Sequence, residues 1–264
     1  MQKDFDFRGS IIHYQQTGSG QPVVLLHGFG EDGQIWNEQV AFLREHCMLI
    51  VPDLPGSGES GILQGEETGI GDYADCIHAL LLQAGIDQCI LLGHSMGGYI
   101  TLAFAEKYPS MVKAIGLVNS TAFADSEEKK QTRLKAIDTI GNYGAAAFLK
   151  TTIPTLFGKS FKENHPDKID ILVKAGGKFT EKALQQYYRA MMQRPDRTAI
   201  LKSNDLPVLF VMGTEDNAAP MKDVLQQASL PAKSYIYILE NVGHMSMWEA
   251  AAELNRILLV FINQ

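Results

Sequence analysis

The chain has 264 residues, 45% of them hydrophobic and 20% charged, with a formal net charge of -7. Such a length and composition suit one large folded α/β domain, or a core with an inserted subdomain, and exclude a disordered or fibrous chain. The acidic balance and the lack of a sustained Lys/Arg patch argue against nucleic acid or an anionic membrane surface as partner.

Residues 1–6 hold no apolar signal-peptide core, and no run is long enough to span a bilayer, so a cytoplasmic location is expected. The first segment reads as a strand pair over 5–9 and 11–16, closed by Thr17-Gly18-Ser19-Gly20. A short apolar run at 23–26 reads as a buried strand ending at His27-Gly28, and 35–43 has helical spacing. Residues 48–51 form another strand, followed by Pro52-Asp53-Leu54-Pro55-Gly56. A helix over 73–83 stops at Gly85, a strand follows at 89–92, then a helix over 98–105 and a strand at 114–118. This alternation predicts a mostly parallel sheet with helices on both faces and chemistry in loops at the carboxyl ends of its strands.

The pattern changes near Thr121. Residues 126–140, 143–149, 168–175 and 181–193 have helical character without short Val/Ile/Leu strand runs, and Pro154 and Gly158 punctuate the stretch. It reads as a helical cap inserted over the sheet edge. The strand–helix rhythm returns with a strand at 207–212, a helix at 219–228, a strand at 234–239 and a closing helix at 246–263. The expected domains are therefore a core of residues 1–120 and 204–264 and a cap of residues 121–203.

One pentapeptide carries most of the chemical information. Gly93-His94-Ser95-Met96-Gly97 follows an apolar strand and opens a helix. A serine in such a sharp turn is exposed beside a helix N-terminus, where a weak nucleophile is made useful. The flanking glycines remove side chains where the turn is crowded. A serine needs a base, and the base needs an orienting acid. His244, in Asn241-Val242-Gly243-His244-Met245, follows the last strand. Asp216 follows the penultimate one, with Glu215 as its immediate competitor and Asp125 as a second alternative. The order Ser95, Asp216, His244 is one of the known solutions to this arrangement. Developing oxyanion charge calls for two backbone N–H groups. Met96 supplies one at the helix N-terminus, and Phe29, in His27-Gly28-Phe29-Gly30-Glu31, the other.

His27, Gly28 and His94 read as supporting residues that shape this region. No H-E-x-x-H pattern, dense ligand cluster, dinucleotide fingerprint or phosphate loop is present, so no metal and no cofactor are expected. The sparse set Cys47, Cys76 and Cys89 fits buried thiols rather than a disulfide framework.

These motifs resemble those of the α/β-hydrolase superfamily, in particular its compact capped members. The resemblance rests on His27-Gly28-Phe29-Gly30, on Asp53-Leu54-Pro55-Gly56-Ser57-Gly58-Glu59-Ser60, on Gly93-His94-Ser95-Met96-Gly97-Gly98, and on the Asp216 loop and Gly243-His244. It covers residues 1–120 and 204–264 and implies an eight-stranded, mostly parallel sheet. Members of that family include carboxylesterases, lactonases, carbon–carbon bond hydrolases, cofactor-free haloperoxidase-like enzymes and a lyase of menaquinone synthesis. Ser95 departs from epoxide hydrolases and haloalkane dehalogenases, which place aspartate there. Ser57 stands where the family usually has histidine.

The expected activity is hydrolysis of a small, partly apolar carboxylic ester or related acyl substrate by a serine hydrolase. A carbon–carbon hydrolase or lactonase with the same triad is one alternative, and a receptor-like ligand-binding protein on this fold is another. Cap residues Phe148, Leu149, Ile153, Leu156, Phe157, Tyr187, Tyr188, Met191 and Met192 are candidates to face the pocket, with Met245 and Trp248 as an apolar wall near the base. Arg189, Arg194 and Lys150 are the candidate clamps for a substrate carboxylate in the carbon–carbon hydrolase reading. Oligomeric state has no signature in the sequence.

Overall fold

Short apolar runs with Val, Ile and Leu at successive positions favour strands buried on both faces, and the computed structural model builds its centre from them. It describes residues 1–65, 67–203 and 205–264. The expected start of the second core segment, Asn204, lies outside the described residues. Among the described residues the sheet has eight strands in the order β1-β2-β4-β3-β5-β6-β7-β8. Strand β1 (Gln2–Phe7) and β2 (Ser10–Thr17) form an antiparallel hairpin, and β2 pairs antiparallel with β4 (Met48–Pro52). All other pairings are parallel, among β3 (Pro22–Leu26), β4, β5 (Cys89–His94), β6 (Val112–Val118), β7 (Pro207–Gly213) and β8 (Lys233–Leu239). The order changes direction around β3, and β5 lies beside it, so the loops after β3 and β5 emerge as neighbours.

Helices cover the sheet. Helix α1 (Asn37–Leu43), preceded by a 3-10 turn at Gly33–Trp36, packs beside the C-terminal helix, while α2 (Ile70–Gln83) packs on α3 (Met96–Lys107). Between β6 and β7 the chain forms α4 (Glu127–Tyr143), α5 (Ala145–Thr152), α6 (Lys159–Asn164), α7 (Pro166–Gly176), α8 (Glu181–Gln193) and α9 (Thr198–Ser203). Ser126 caps α4 by accepting the Lys129 N–H, and Thr180 caps α8 by accepting that of Ala183. Helices α6 and α9 have six residues each, too few to display a periodic face, and the sequence reading passes over them. Helix α10 (Met221–Ala228) joins β7 to β8. No helix among the described residues is long and apolar enough to cross a membrane.

The closing helix expected over 246–263 is two helices, α11 (Ser246–Glu249) and α12 (Ala251–Ile262). Ala250 breaks the run at φ -133°, ψ 44°. The physical reason lies next to the break, where the Glu249 carboxylate turns back to accept backbone N–H groups of Gly243 and Met245. The three cysteines are buried free thiols, and burial pushes Cys47 up to about 11 and Cys76 and Cys89 up to about 12.

The β5-to-α3 turn sits against β3. A Cβ on Gly97 would be driven into the Leu26 and His27 carbonyls, and one on Gly93 into the backbone of Gly97 and Gly98. Neither position has a flexible neighbour that can yield. Gly97→Ala should therefore cost at least about 3 kcal/mol in urea unfolding. Gly71→Ala, inside α2 with only Lys107 nearby, should instead stabilise by roughly 0.5–1 kcal/mol.

Candidate active site

Ser95 is the residue before α3 and has φ 51°, ψ -116°, a left-handed backbone that few non-glycine residues adopt. Such a conformation costs of order 1–3 kcal/mol and persists only where its surroundings enforce it. Three hydrogen bonds do so. The Ser95 N–H donates to the Val118 carbonyl at 3.1 Å, and its own carbonyl accepts the Gly98 N–H at 3.0 Å and the Ser120 hydroxyl at 2.7 Å. Gly98 is needed because a Cβ there would fall on Ser120.

His244 lies in the loop after β8, buried at 4% exposure. Its Nδ1 lies 3.0 and 2.9 Å from the two carboxylate oxygens of Asp216. Asp216 also accepts the Ala218 and Ala219 N–H groups and the Asn119 side-chain amide. Burial alone would push the Asp216 carboxyl up, but His244 and these donors hold it below the usual range. Burial opposes charging of His244, yet Asp216 and, more weakly, Glu31 hold its imidazole above the ordinary value of 6.5. With Nδ1 turned to Asp216, Nε2 is the nitrogen left for other partners.

The competing carboxylates are engaged elsewhere. Glu215 accepts the Lys159 N–H at the start of α6. Asp125 is held by Arg133 and Arg194 at 2.6 and 2.8 Å. Asn119, at φ 51°, links the pieces: its amide also donates to the Gly243 carbonyl, and its oxygen accepts the Ser246 hydroxyl.

The loop after β3 is equally constrained. The Leu54 N–H donates to His27 Nε2, and His27 Nδ1 faces the Gly28 carbonyl, which puts the ring proton on Nδ1. Ser57, in place of the family's usual histidine, lies 2.8 Å from His27 Nε2. Glu31 is buried and accepts the Gly28 N–H, while His94 Nε2 lies 3.3 Å from it as a Coulombic contact without an aligned hydrogen bond. Burial pushes the Glu31 carboxyl up, but His94, His27 and that amide outweigh it and hold it low. A Cβ on Gly28 would lie 3.0 Å from that of Ser95, so this loop and the Ser95 turn are in close contact. Met96 is the first residue of α3, whose early N–H groups have no partner within the helix.

Ser95 and His244 line one cavity of about 220 Å³, together with Phe29, Glu31, Tyr99, Leu149, Ile153, Leu156, Tyr188 and Met191. Lys129, Arg133, Thr152, Asn217 and Ala218 complete the lining. The other apolar candidates, Phe148, Phe157, Tyr187, Met192, Met245 and Trp248, are not among the residues lining it, because each packs against other elements. Phe148 packs edge-on against Phe29 and Tyr188, and the Tyr187 hydroxyl donates to the Pro55 carbonyl. Phe157 stacks on Phe161, the Trp248 indole donates to the Ile35 carbonyl, Met245 is fully buried and Met192 is half-buried. Lys150 and Arg189 are not among the residues lining the cavity, and Arg194 is buried behind Tyr99. Sequence reasoning missed Glu31, Tyr99, Lys129, Arg133 and Asn119. Lys129 and Arg133, four apart on α4, were the pair that helical spacing alone could have flagged. Among the described residues no three His, Cys, Asp or Glu side chains converge as a metal site would.

The chain belongs to the alpha/beta hydrolase fold family, whose model matches residues 21–251. It is 24% identical over 256 residues to the (E)-2-((N-methylformamido)methylene)succinate hydrolase of Acinetobacter baylyi, covering 95% of this chain and 93% of that one. It is similar to a thermophilic esterase from Thermogutta terrifontis solved with malate bound, with a TM-score of 0.93, 27% identity and coverage of 100% and 98%. It also shares its fold with the enol-lactonase of Burkholderia xenovorans LB400, with a TM-score of 0.90, 22% identity and coverage of 99% and 100%. The protein is thus a hydrolase of this class.

Glu249 fixes the His244 loop by accepting the Gly158, Gly243 and Met245 N–H groups together. Glu249→Ala should strand these half-buried donors and lower unfolding stability by about 1–3 kcal/mol, as read in a urea titration.

Proposed function

We propose that the protein is a serine hydrolase that cleaves a small carboxylic ester or related acyl substrate through an acyl-enzyme. Ser95 is the nucleophile, His244 the general base, and Asp216 the acid that orients it. The Phe29 and Met96 amides stabilise the oxyanion, and residues 121–203 form a cap that shapes the pocket. The observation that carries this reading is that a serine in a strained turn and an Asp216-paired histidine line the same cavity.

The chemistry follows from these groups. His244 Nε2 takes the Ser95 hydroxyl proton as the oxygen attacks the acyl carbon, and Asp216 stabilises the imidazolium. The carbonyl oxygen becomes an oxyanion facing two N–H donors, each worth about 3 kcal/mol in comparable sites. Collapse breaks the bond to the leaving alcohol, which receives the proton from His244. Water, deprotonated by His244, then attacks the acyl-Ser95 carbonyl; collapse returns the proton to the Ser95 oxygen and releases the acid. The same steps suit a lactone, so the enol-lactonase likeness fits this machinery. A panel of aryl esters, lactones and vinylogous diketones separates ester, lactone and carbon–carbon substrates.

A fluorophosphonate should label the wild-type protein at the peptide containing Ser95, as read by mass spectrometry. Ser95→Ala should be folded, unlabelled and without turnover. Label at another residue, or steady hydrolysis by Ser95→Ala, would contradict the reading.

The base works only when neutral, so kcat/KM should rise with pH through a titration above 6.5, the ordinary histidine value. Asp216→Asn removes the stronger of the two groups that raise His244 while leaving the burial that lowers it. Its acidic limb should move down in pH, and its rate should fall by about three to four decades. A near-wild-type rate in this variant would assign the orienting role to another group.

A further inference from the structure

The cavity has two cations that the hydrolytic chemistry does not use. Lys129 and Arg133 both line it, four residues apart on α4 and therefore on one face of that helix. Like charges at this spacing repel and destabilise a helix by a few tenths of a kcal/mol. They also share their surroundings with a third cation, Arg194, whose guanidinium lies 3.8 Å over the Tyr99 ring. The one carboxylate among them, Asp125, is divided between Arg133 and Arg194. Within this cluster three cations share one carboxylate, and Lys129 and Arg133 are the two of them that line the cavity.

Arg194 is spent on structure. Beyond Asp125 it donates to the Met191 and Phe123 carbonyls. Lys129 is not, and Arg133 is only in part. Arg133 gives Nε and one terminal nitrogen to Asp125, which leaves its second terminal nitrogen uncommitted among the described residues. Lys129 gives one hydrogen bond to the Ala218 carbonyl, and an ammonium has three donors. Tyr99, which also lines the cavity, reports the resulting field. Burial pushes its phenol up, yet Arg194, Lys129 and Arg133 outweigh burial and bring it below its usual value. The other carboxylate lining the cavity, Glu31, accepts the Gly28 N–H and lies 3.3 Å from His94 Nε2, and it forms no ion pair with Lys129 or Arg133 among the described residues.

We infer that Lys129 and Arg133 form a carboxylate subsite, so that the preferred substrates are anionic acyl compounds, short esters or lactones with a carboxylate a few carbons from the scissile carbonyl. This deepens the hydrolase reading and rests on it for turnover, though not for binding. A carboxylate between the two side chains takes a point charge from Lys129 and a planar donor from Arg133, relieving their repulsion. The cavity volume of about 220 Å³ suits an acyl chain of a few carbons. Leu149, Ile153 and Met191 supply the apolar wall along it.

The test compares mono-4-nitrophenyl glutarate with 4-nitrophenyl pentanoate, which have the same leaving group and acyl length but differ by one carboxylate. The wild-type protein should favour the glutarate ester at least tenfold in kcat/KM, mainly through KM, and added salt should shrink the preference. Lys129→Gln should reduce the ratio of the two substrates about tenfold, and Lys129→Arg should retain it. Equal use of both esters by the wild-type protein, or an unchanged ratio in Lys129→Gln, overturns the subsite while leaving the hydrolase reading intact. If neither ester turns over, labelling of Ser95 decides the hydrolase reading and calorimetry decides the subsite alone. Glutarate binding that Lys129→Gln weakens tenfold supports it, and absence of glutarate binding to the wild-type protein overturns it.

Discussion

The arrangement depends on one backbone constraint, the left-handed conformation of Ser95 between β5 and α3. Relaxed to ordinary dihedrals, the turn would swing the hydroxyl away from the cavity and change the entry of α3. The surroundings prevent this on three sides. Val118 holds the Ser95 N–H, Ser120 and Gly98 hold its carbonyl, and the β3 carbonyls pack directly against Gly97. Local strain of this kind is compatible with a stable fold because the parallel sheet around it is closely packed, with Val23 to Leu26 fully buried.

Buried carboxylates connect the loops that the sheet only brings near one another. Asp216 joins the loop after β7 to His244, and Glu249 joins the His244 loop to Gly158 between α5 and α6. Glu31 ties the loop after β3 to His94, and Asp125 gathers two arginines from α4 and the end of α8. Asp216, Glu249 and Asp125 each accept several donors, which is what keeps such a charge tolerable. Removing one would expose its donors rather than delete a single contact. The site is therefore held by a few long-range polar ties laid over an apolar sheet.

The sheet was legible because its signal is local. Runs such as Val23-Val24-Leu25-Leu26 and Ile90-Leu91-Leu92 declare themselves within four or five residues, and the turn motif after β5 names its own geometry. The pairing of Asp216 with His244 was accessible from chain order and loop position. What the sequence hid is set by contacts between distant segments. Asn119 only follows the strand expected at 114–118, yet its side chain bridges Asp216, Gly243 and Ser246. Glu31 was one more polar letter in a glycine-rich loop. The break at Ala250 follows Glu249 turning back onto an earlier loop, which no helical periodicity encodes. Lys129 and Arg133 read as ordinary charges on an exposed helix, because their cavity is built mostly by other elements.

The proposed chemistry requires Ser95, His244 and two backbone amides to act on one tetrahedral centre. Its most direct test is a crystal structure of the protein after reaction with a phosphonate inhibitor, which mimics that centre on the serine oxygen. The phosphonyl oxygen is expected within hydrogen-bonding distance of both the Phe29 and Met96 N–H groups, with His244 Nε2 facing the Ser95 oxygen. An adduct whose oxygen points to solvent, with both amides turned elsewhere, would contradict it.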